Sequence, residues 1–197
     1  MTDEPMVCVV DDDDDVRDSL AILLGRRYRV LTFASAHDYL DAGVKPGNTC
    51  GLADIRMPEM DGLALQREIK KRTPDMPVLI MTGHGDVPMA VQAMKEGALE
   101  FLEKPFDRAV ILAALENAFA RTKAPAAAAE PAKVVRKPLT EREKDVFDLL
   151  VLGHQNKVVA HKLGISTRTV EVHRARIMDK LAAKSLADLV RISMGRR

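Results

Sequence analysis

The chain has 197 residues, 47% of them hydrophobic, enough for one large domain or two small ones with buried cores. No apolar stretch approaches the ~20 residues that span a bilayer, the acidic N-terminus lacks the basic-then-apolar order of a secretion signal, and Cys8 and Cys50 lack the paired spacing of a zinc or redox motif. The formal net charge of +1 conceals a net −8 over residues 1 to 120 and +9 over residues 121 to 197, so no membrane partner, a cytoplasmic location and two domains with different partners are expected, the basic one suited to nucleic acid.

The N-terminal part alternates apolar strands with helix-period segments. "MVCVV" (6 to 10) is the first strand and runs straight into five aspartates, Asp11 to Asp15. Asp11 and Asp12 end that strand, Asp14 fits a helix N-cap, Asp15 fits the first helical turn, and Asp13 is left without a role. Val16, Leu20, Leu23 and Leu24 then share a helical face. "YRVLTF" (28 to 33), "CGLADI" (50 to 55), "PVLIMT" (77 to 82) and "EFLEK" (100 to 104) are the later strands. Leu63, Leu65 and Ile69, and then Val87, Val91, Met94 and Ala98, mark helices between them. Near-continuous apolar strands in five strand-helix units imply a parallel sheet covered on both faces, doubly wound by right-handed crossovers. Both cysteines fall inside strands and are expected in the core. Gly83 and Gly85 imply a tight loop around His84.

A helix is expected to run to about Lys123, and the Ala- and Pro-rich stretch that follows reads as a linker, interrupted at Pro125 and Pro131. The expected division is residues 1–122, a linker over 123–137 and a second domain over 138–197. That domain reads as four helices. The first is opened by a capping box of Thr140 and Glu143 and closes at Gly153, and the second runs from Asn156 to Leu163 and ends at Gly164. The third starts at Ser166 or Thr167, and Ser185 with Asp188 caps the last. The middle pair, joined through a short glycine turn, has the form of a helix-turn-helix.

Ligand sites in open parallel sheets lie at the carboxyl ends of the strands. Asp11, Asp12, Asp54, Thr82 and Lys104 all fall there. Three carboxylates together need a cation, and oxygen-only ligands favour magnesium, which suits phosphoryl chemistry with Asp54 as the candidate nucleophile and Lys104 and Thr82 binding the transferred group. "VVDDDDD", "ADIRMPEMDG", "MTGHGD" and "EFLEKPF", in this order over roughly residues 5 to 120, resemble the receiver domain of two-component response regulators. The resemblance implies a five-stranded sheet of order 2-1-3-4-5 and Asp54 as phosphoacceptor for a histidine kinase. It implies Mg2+ held directly by Asp12, mostly through water by Asp11, and by Asp54 and the backbone carbonyl of Arg56. It further implies a cis Lys104-Pro105 bond, Thr82 and Phe101 moving together on phosphorylation, and a dimer face that includes Val91, Lys95 and Phe101.

In the basic half, Val170, His173, Ile177 and Leu181 gather on the inner face of the third helix, with His173 a packed structural residue. The outer face carries Arg168, Glu171, Val172, Ala175 and Arg176. An outward valine suits a thymine methyl, and Glu171 suits a cytosine amino group. Thr167 begins the helix, and Lys157, Arg168, Arg174 and Lys180 suit phosphates. The stretch from Leu139 to Ile192 resembles the LuxR-type DNA-binding domain. "TGHGDVPMAV" with "ISTRTVEVHR" is similar to the FixJ group of response regulators, which implies a transcription activator, not an enzyme, that binds double-stranded DNA and RNA polymerase. It also implies a homodimer once phosphorylated, with nitrogen-fixation genes among the group's targets. The alternative is a magnesium-dependent phosphatase of the haloacid-dehalogenase kind. Asp12-x-Asp14-x-Val16 satisfies its Asp-x-Asp-x-Thr/Val pattern with Asp12 as nucleophile, but "KPFD" is all the chain offers for the second acidic pair.

Overall fold

In the computed structural model, which describes residues 4–83, 87–123, 137–183 and 185–195, backbone contacts divide the chain into two compact units. One comprises residues 1–84 and 96–129, the other residues 85–95 and 130–197.

Five strands, β1 (Met6–Val10), β2 (Arg29–Phe33), β3 (Thr49–Asp54), β4 (Val78–Thr82) and β5 (Glu100–Glu103), form one parallel sheet in the order β2-β1-β3-β4-β5. This is the expected doubly wound order, with the reversal between β1 and β3. Every residue of β3 and β4 is buried, which explains why these strands read as unbroken apolar runs.

The helices in the first 123 residues are α1 (Asp14–Leu24), α2 (Ala36–Asp41), α3 (Gly62–Arg72), α4 (Val87–Lys95) and α5 (Arg108–Lys123), of which α4 belongs to the second unit. On one face of the sheet Val7, Val9, Cys50, Leu52, Leu79, Met81 and Leu102 pack with Leu20 and Leu24 of α1 and Ile111, Leu115 and Phe119 of α5. On the other face Gly51 and Val78 lie near Ile69 of α3. Cys8 and Cys50 are free and fully buried, and burial alone pushes the Cys8 thiol up to about 12.

The N-cap of α1 is Asp13, not Asp14. Asp13 has extended backbone angles, and its carboxylate accepts from the amides of Asp15 at 2.9 Å and Val16 at 3.2 Å, which places Asp14 and Asp15 in the first turn. The loop around His84 and the linker prolines lie outside the described residues.

The C-terminal helices are α6 (Glu141–Val151), α7 (Asn156–Leu163), α8 (Thr167–Leu181) and α9 (Leu186–Met194). Both expected capping boxes are formed, and Gly164 ends α7 in the left-handed region at φ 64°, where a side chain would be strained. Helix α8 packs against α6 and α7 through Val170, Ile177 and Leu181, each at most 1% exposed. Among the described residues no helix is long and apolar enough to cross a membrane.

Candidate functional site

Parallel strands of similar length bring their carboxyl ends to one rim of the sheet, and loop residues following β1, β3 and β5 meet there. Asp11 follows β1, Asp54 ends β3 and Lys104 follows β5. The Lys104 ammonium lies 2.7 Å from Asp11 Oδ2 and 2.5 Å from Asp54 Oδ1. The second Asp54 oxygen accepts from the Arg56 amide at 2.7 Å, and Asp11 Oδ1 accepts from the Asp13 amide at 3.1 Å. Asp11 is 1% exposed and Asp54 7%, while Asp12, the next residue along, is exposed.

Burial raises the Asp54 pKa above the ordinary aspartate value, against the opposing pull of Lys104 and the Arg56 amide. For Lys104, burial alone would disfavour the ammonium, but the hydrogen bonds and charges of Asp11 and Asp54 outweigh it and raise the pKa. The Asp54 carboxylate is therefore held between an ammonium and an amide, and among the described residues Lys104 is the cation that Asp11 and Asp54 share.

Asp11, Asp12 and Asp54 offer oxygen ligands only, the chemistry of a hard cation. Lys104 stands between Asp11 and Asp54 as a positive charge, and among the described residues no three acids or histidines are gathered as a metal cage. The site fits a magnesium ion that keeps most of its waters, and not an ion enclosed by protein.

Thr82 is fully buried at the end of β4, and its hydroxyl donates to the Gly83 carbonyl at 3.2 Å instead of turning to Asp54. Lys104-Pro105 is cis, as expected. Of the three residues expected on a dimer face, Lys95 is exposed, while Val91 is 2% and Phe101 8% exposed. Sequence reasoning missed Gly62. A Cβ there would stand 2.3 Å from the Asp54 carbonyl oxygen and 3.0 Å from Ile55 Cα, so only glycine lets α3 begin this close to the end of β3.

The second candidate surface is the outer face of α8. Thr167, Arg168, Glu171, Ala175 and Arg176 are exposed, and Val172 is 45% exposed, as the helical spacing requires. Lys157 on α7 is exposed as well, and Val158 beside it, 40% exposed, adds an apolar position that the helical pattern had not singled out. Arg174 is half-buried. His173 is half-buried too, its Nδ1 enclosed without a hydrogen-bond partner, in keeping with a packing role. Lys180 corrects the expectation of a phosphate contact: its ammonium donates to Glu143 at 2.6 Å and is only 24% exposed. The same carboxylate oxygen closes the α6 capping box, so this lysine ties two helices together.

The pattern of the response regulator receiver domain matches residues 7–116, and that of bacterial regulatory proteins of the luxR family matches residues 137–193. The chain is 47% identical over 192 residues to the transcriptional regulatory protein FixJ of Azorhizobium caulinodans, covering 95% of this chain and 91% of that one. It is 37% identical over 194 residues to the response regulator protein TodT of Pseudomonas putida, covering 95% and 85%. Full-length FixJ from B. japonicum is similar in structure, with a TM-score of 0.58 and 42% identity over 98% of this chain and 97% of that one. The phosphatase alternative finds no support, since these relatives are regulators, and its nucleophile, Asp12, is exposed beside a pocket built on Asp11 and Asp54.

Proposed function

The chain belongs to the response regulator family, a receiver domain joined to a LuxR-type DNA-binding domain that activates transcription under control of phosphorylation by a histidine kinase, and on that premise we propose that Asp54 takes up the phosphoryl group. The observation that carries this reading is the convergence of two buried carboxylates on the Lys104 ammonium. An Asp54 oxygen attacks the phosphorus of a phosphohistidine, the P–N bond breaks, the imidazole leaves, and an acyl phosphate remains. Lys104 exchanges its carboxylate partners for a phosphoryl oxygen, and the Thr82 hydroxyl turns from Gly83 to a second one. Mg2+, held by Asp11, Asp12, Asp54 and the Arg56 backbone carbonyl, would offset the negative charge that the phosphoryl oxygens bring.

The functional division is residues 1–122, 123–137 and 138–197, in keeping with the spans of the two family matches. Phosphorylation promotes a homodimer through a face that includes Lys95, with Val91 and Phe101 rearranging, and the dimer reads two half-sites one helical turn apart. Thr167, Arg168, Glu171, Val172 and Arg176 face the bases and nearby backbone, while Lys157 and Arg174 hold phosphates. RNA polymerase is the partner of the DNA-bound dimer, the location is cytoplasmic, and the targets are nitrogen-fixation genes, as the resemblance to the FixJ group implies. Incubation with a small phosphodonor and Mg2+, followed by mapping of the modified residue, is expected to find the label on Asp54 and none in Asp54→Asn. A label on Asp12, or one that survives Asp54→Asn, would overturn the assignment.

A further inference from the structure

Asp11 has a partner for each of its four polar groups. Its amide donates to the Phe33 carbonyl at 3.2 Å, Oδ1 accepts from the Asp13 amide at 3.1 Å, and Oδ2 accepts from Lys104 at 2.7 Å. The fourth partner is a side chain six residues on: Arg17 Nη1 donates to the Asp11 carbonyl oxygen at 2.6 Å. Arg17 lies in the first turn of α1, its own amide donates to the Asp13 carbonyl at 3.1 Å, and its Nη2 is ion-paired with Asp14. Its side chain is only 13% exposed although its ionic partner is 84% exposed. A guanidinium is thus drawn out of water toward a main-chain carbonyl of the acid pocket, a cost that an ordinary surface arginine does not incur.

We infer that Arg17 is a positioning residue for the acid pair Asp11 and Asp12. The carbonyl it holds belongs to the peptide that joins these two acids. Because a peptide is planar, fixing its C=O also fixes the direction in which the chain enters Asp12. Helix α1 thereby sets both carboxylates from behind: Asp13 caps the helix, and Arg17 reaches back over the cap to the strand end. The forked guanidinium supplies two donors in one plane, one for the carbonyl and one for Asp14, which a lysine ammonium on a flexible stem does not reproduce.

The inference rests on the reading of Asp11 and Asp12 as magnesium ligands, and its test separates the two. Mg2+ binding to the full chain is measured by calorimetry for wild type, Arg17→Ala and Arg17→Lys, with thermal unfolding confirming that each folds. Groups that orient metal ligands typically contribute 10–100-fold to affinity, so Arg17→Ala is expected to raise the Kd for Mg2+ about tenfold, with Arg17→Lys between it and wild type. The sign is decisive. If Arg17 acted only through its charge, deleting a cation beside an acidic site would tighten magnesium binding, and Arg17→Lys would match wild type. Phosphorylation by a small phosphodonor is expected to slow at limiting Mg2+ in Arg17→Ala and to recover at saturating Mg2+. An unchanged or lowered Kd in Arg17→Ala overturns the positioning role; should that variant not fold, a wild-type Kd in Arg17→Lys does the same. Wild type that binds no Mg2+ and takes no label on Asp54 overturns the parent reading, and this inference with it.

Discussion

Lys104 is the residue on which the pocket depends electrostatically, because it is the cation shared by two carboxylates that are almost wholly out of water. Replacing it in Lys104→Met leaves Asp11 and Asp54 as buried like charges. Unfolding by urea at pH 7 without divalent cation is expected to show a loss of about 3 kcal/mol, the scale of removing one partner of a buried pair. Burial already raises the Asp54 pKa and Lys104 opposes that rise, so without the ammonium the penalty is present at neutral pH and fades as the pH falls through the raised value toward the ordinary carboxylate range. Gly62 acts by space and not by charge. In Gly62→Ala the added carbon meets backbone atoms of Asp54 and Ile55, which cannot give way as a side chain would. A loss of about 1–3 kcal/mol in thermal unfolding is expected, together with slower labelling of Asp54 as the strand end is displaced.

The capping box of α6 and the end of α8 are joined by a single carboxylate, since Glu143 Oε2 accepts from the Thr140 amide at 2.7 Å and from Lys180 at 2.6 Å. The Lys180 hydrogen bond, with the Thr140 amide second, lowers the Glu143 pKa from 4.5 to about 2. An acid whose folded pKa is depressed stabilises the fold above its unfolded value. That contribution is therefore lost as the pH falls from about 4.5 toward about 2. Acid titration of the helical unfolding transition is expected to show this loss in wild type and a flatter profile in Glu143→Gln. On the outer face of α8 the expected effects divide by chemistry. In Glu171→Ala, binding to DNA variants is expected to change base preference by about 1–3 kcal/mol, whereas Lys157→Ala and Arg168→Ala weaken all sequences alike and each reduces the salt slope by about one. Uniform behaviour of all three in anisotropy titrations would contradict this division of the surface. The helical pattern of α8 was legible from its 100° spacing, but α2, only six residues long, was too short for its periodicity to register.

The whole chain joins an acidic stretch, residues 1 to 120, to a basic one, residues 121 to 197, and under the proposed function phosphorylation need shift a two-state population by only ~5.5 kcal/mol to move it from 1:99 to 99:1. Light scattering of the chain treated with a small phosphodonor and Mg2+ is expected to show the mass double, and Asp54→Asn is expected to stay monomeric under the same treatment. At this scale the linear pattern already determined a great deal. Unbroken apolar runs can be satisfied only by a sheet covered on both faces, helix caps announce themselves in short polar motifs, and Asp11, Asp54, Thr82 and Lys104 were marked by their place at strand ends. The tertiary structure alone decided which of these groups touch. Lys104 meets partners 93 and 50 residues away, Lys180 spends its charge on a carboxylate 37 residues earlier, and Thr82 turns to Gly83. Even nearby, the fall of the N-cap to Asp13 instead of Asp14 and the reach of Arg17 to the Asp11 carbonyl depended on backbone angles. The physical reason is that periodicity and composition report which side of an element is buried, whereas a hydrogen bond is decided within a few tenths of an ångström by how the elements pack.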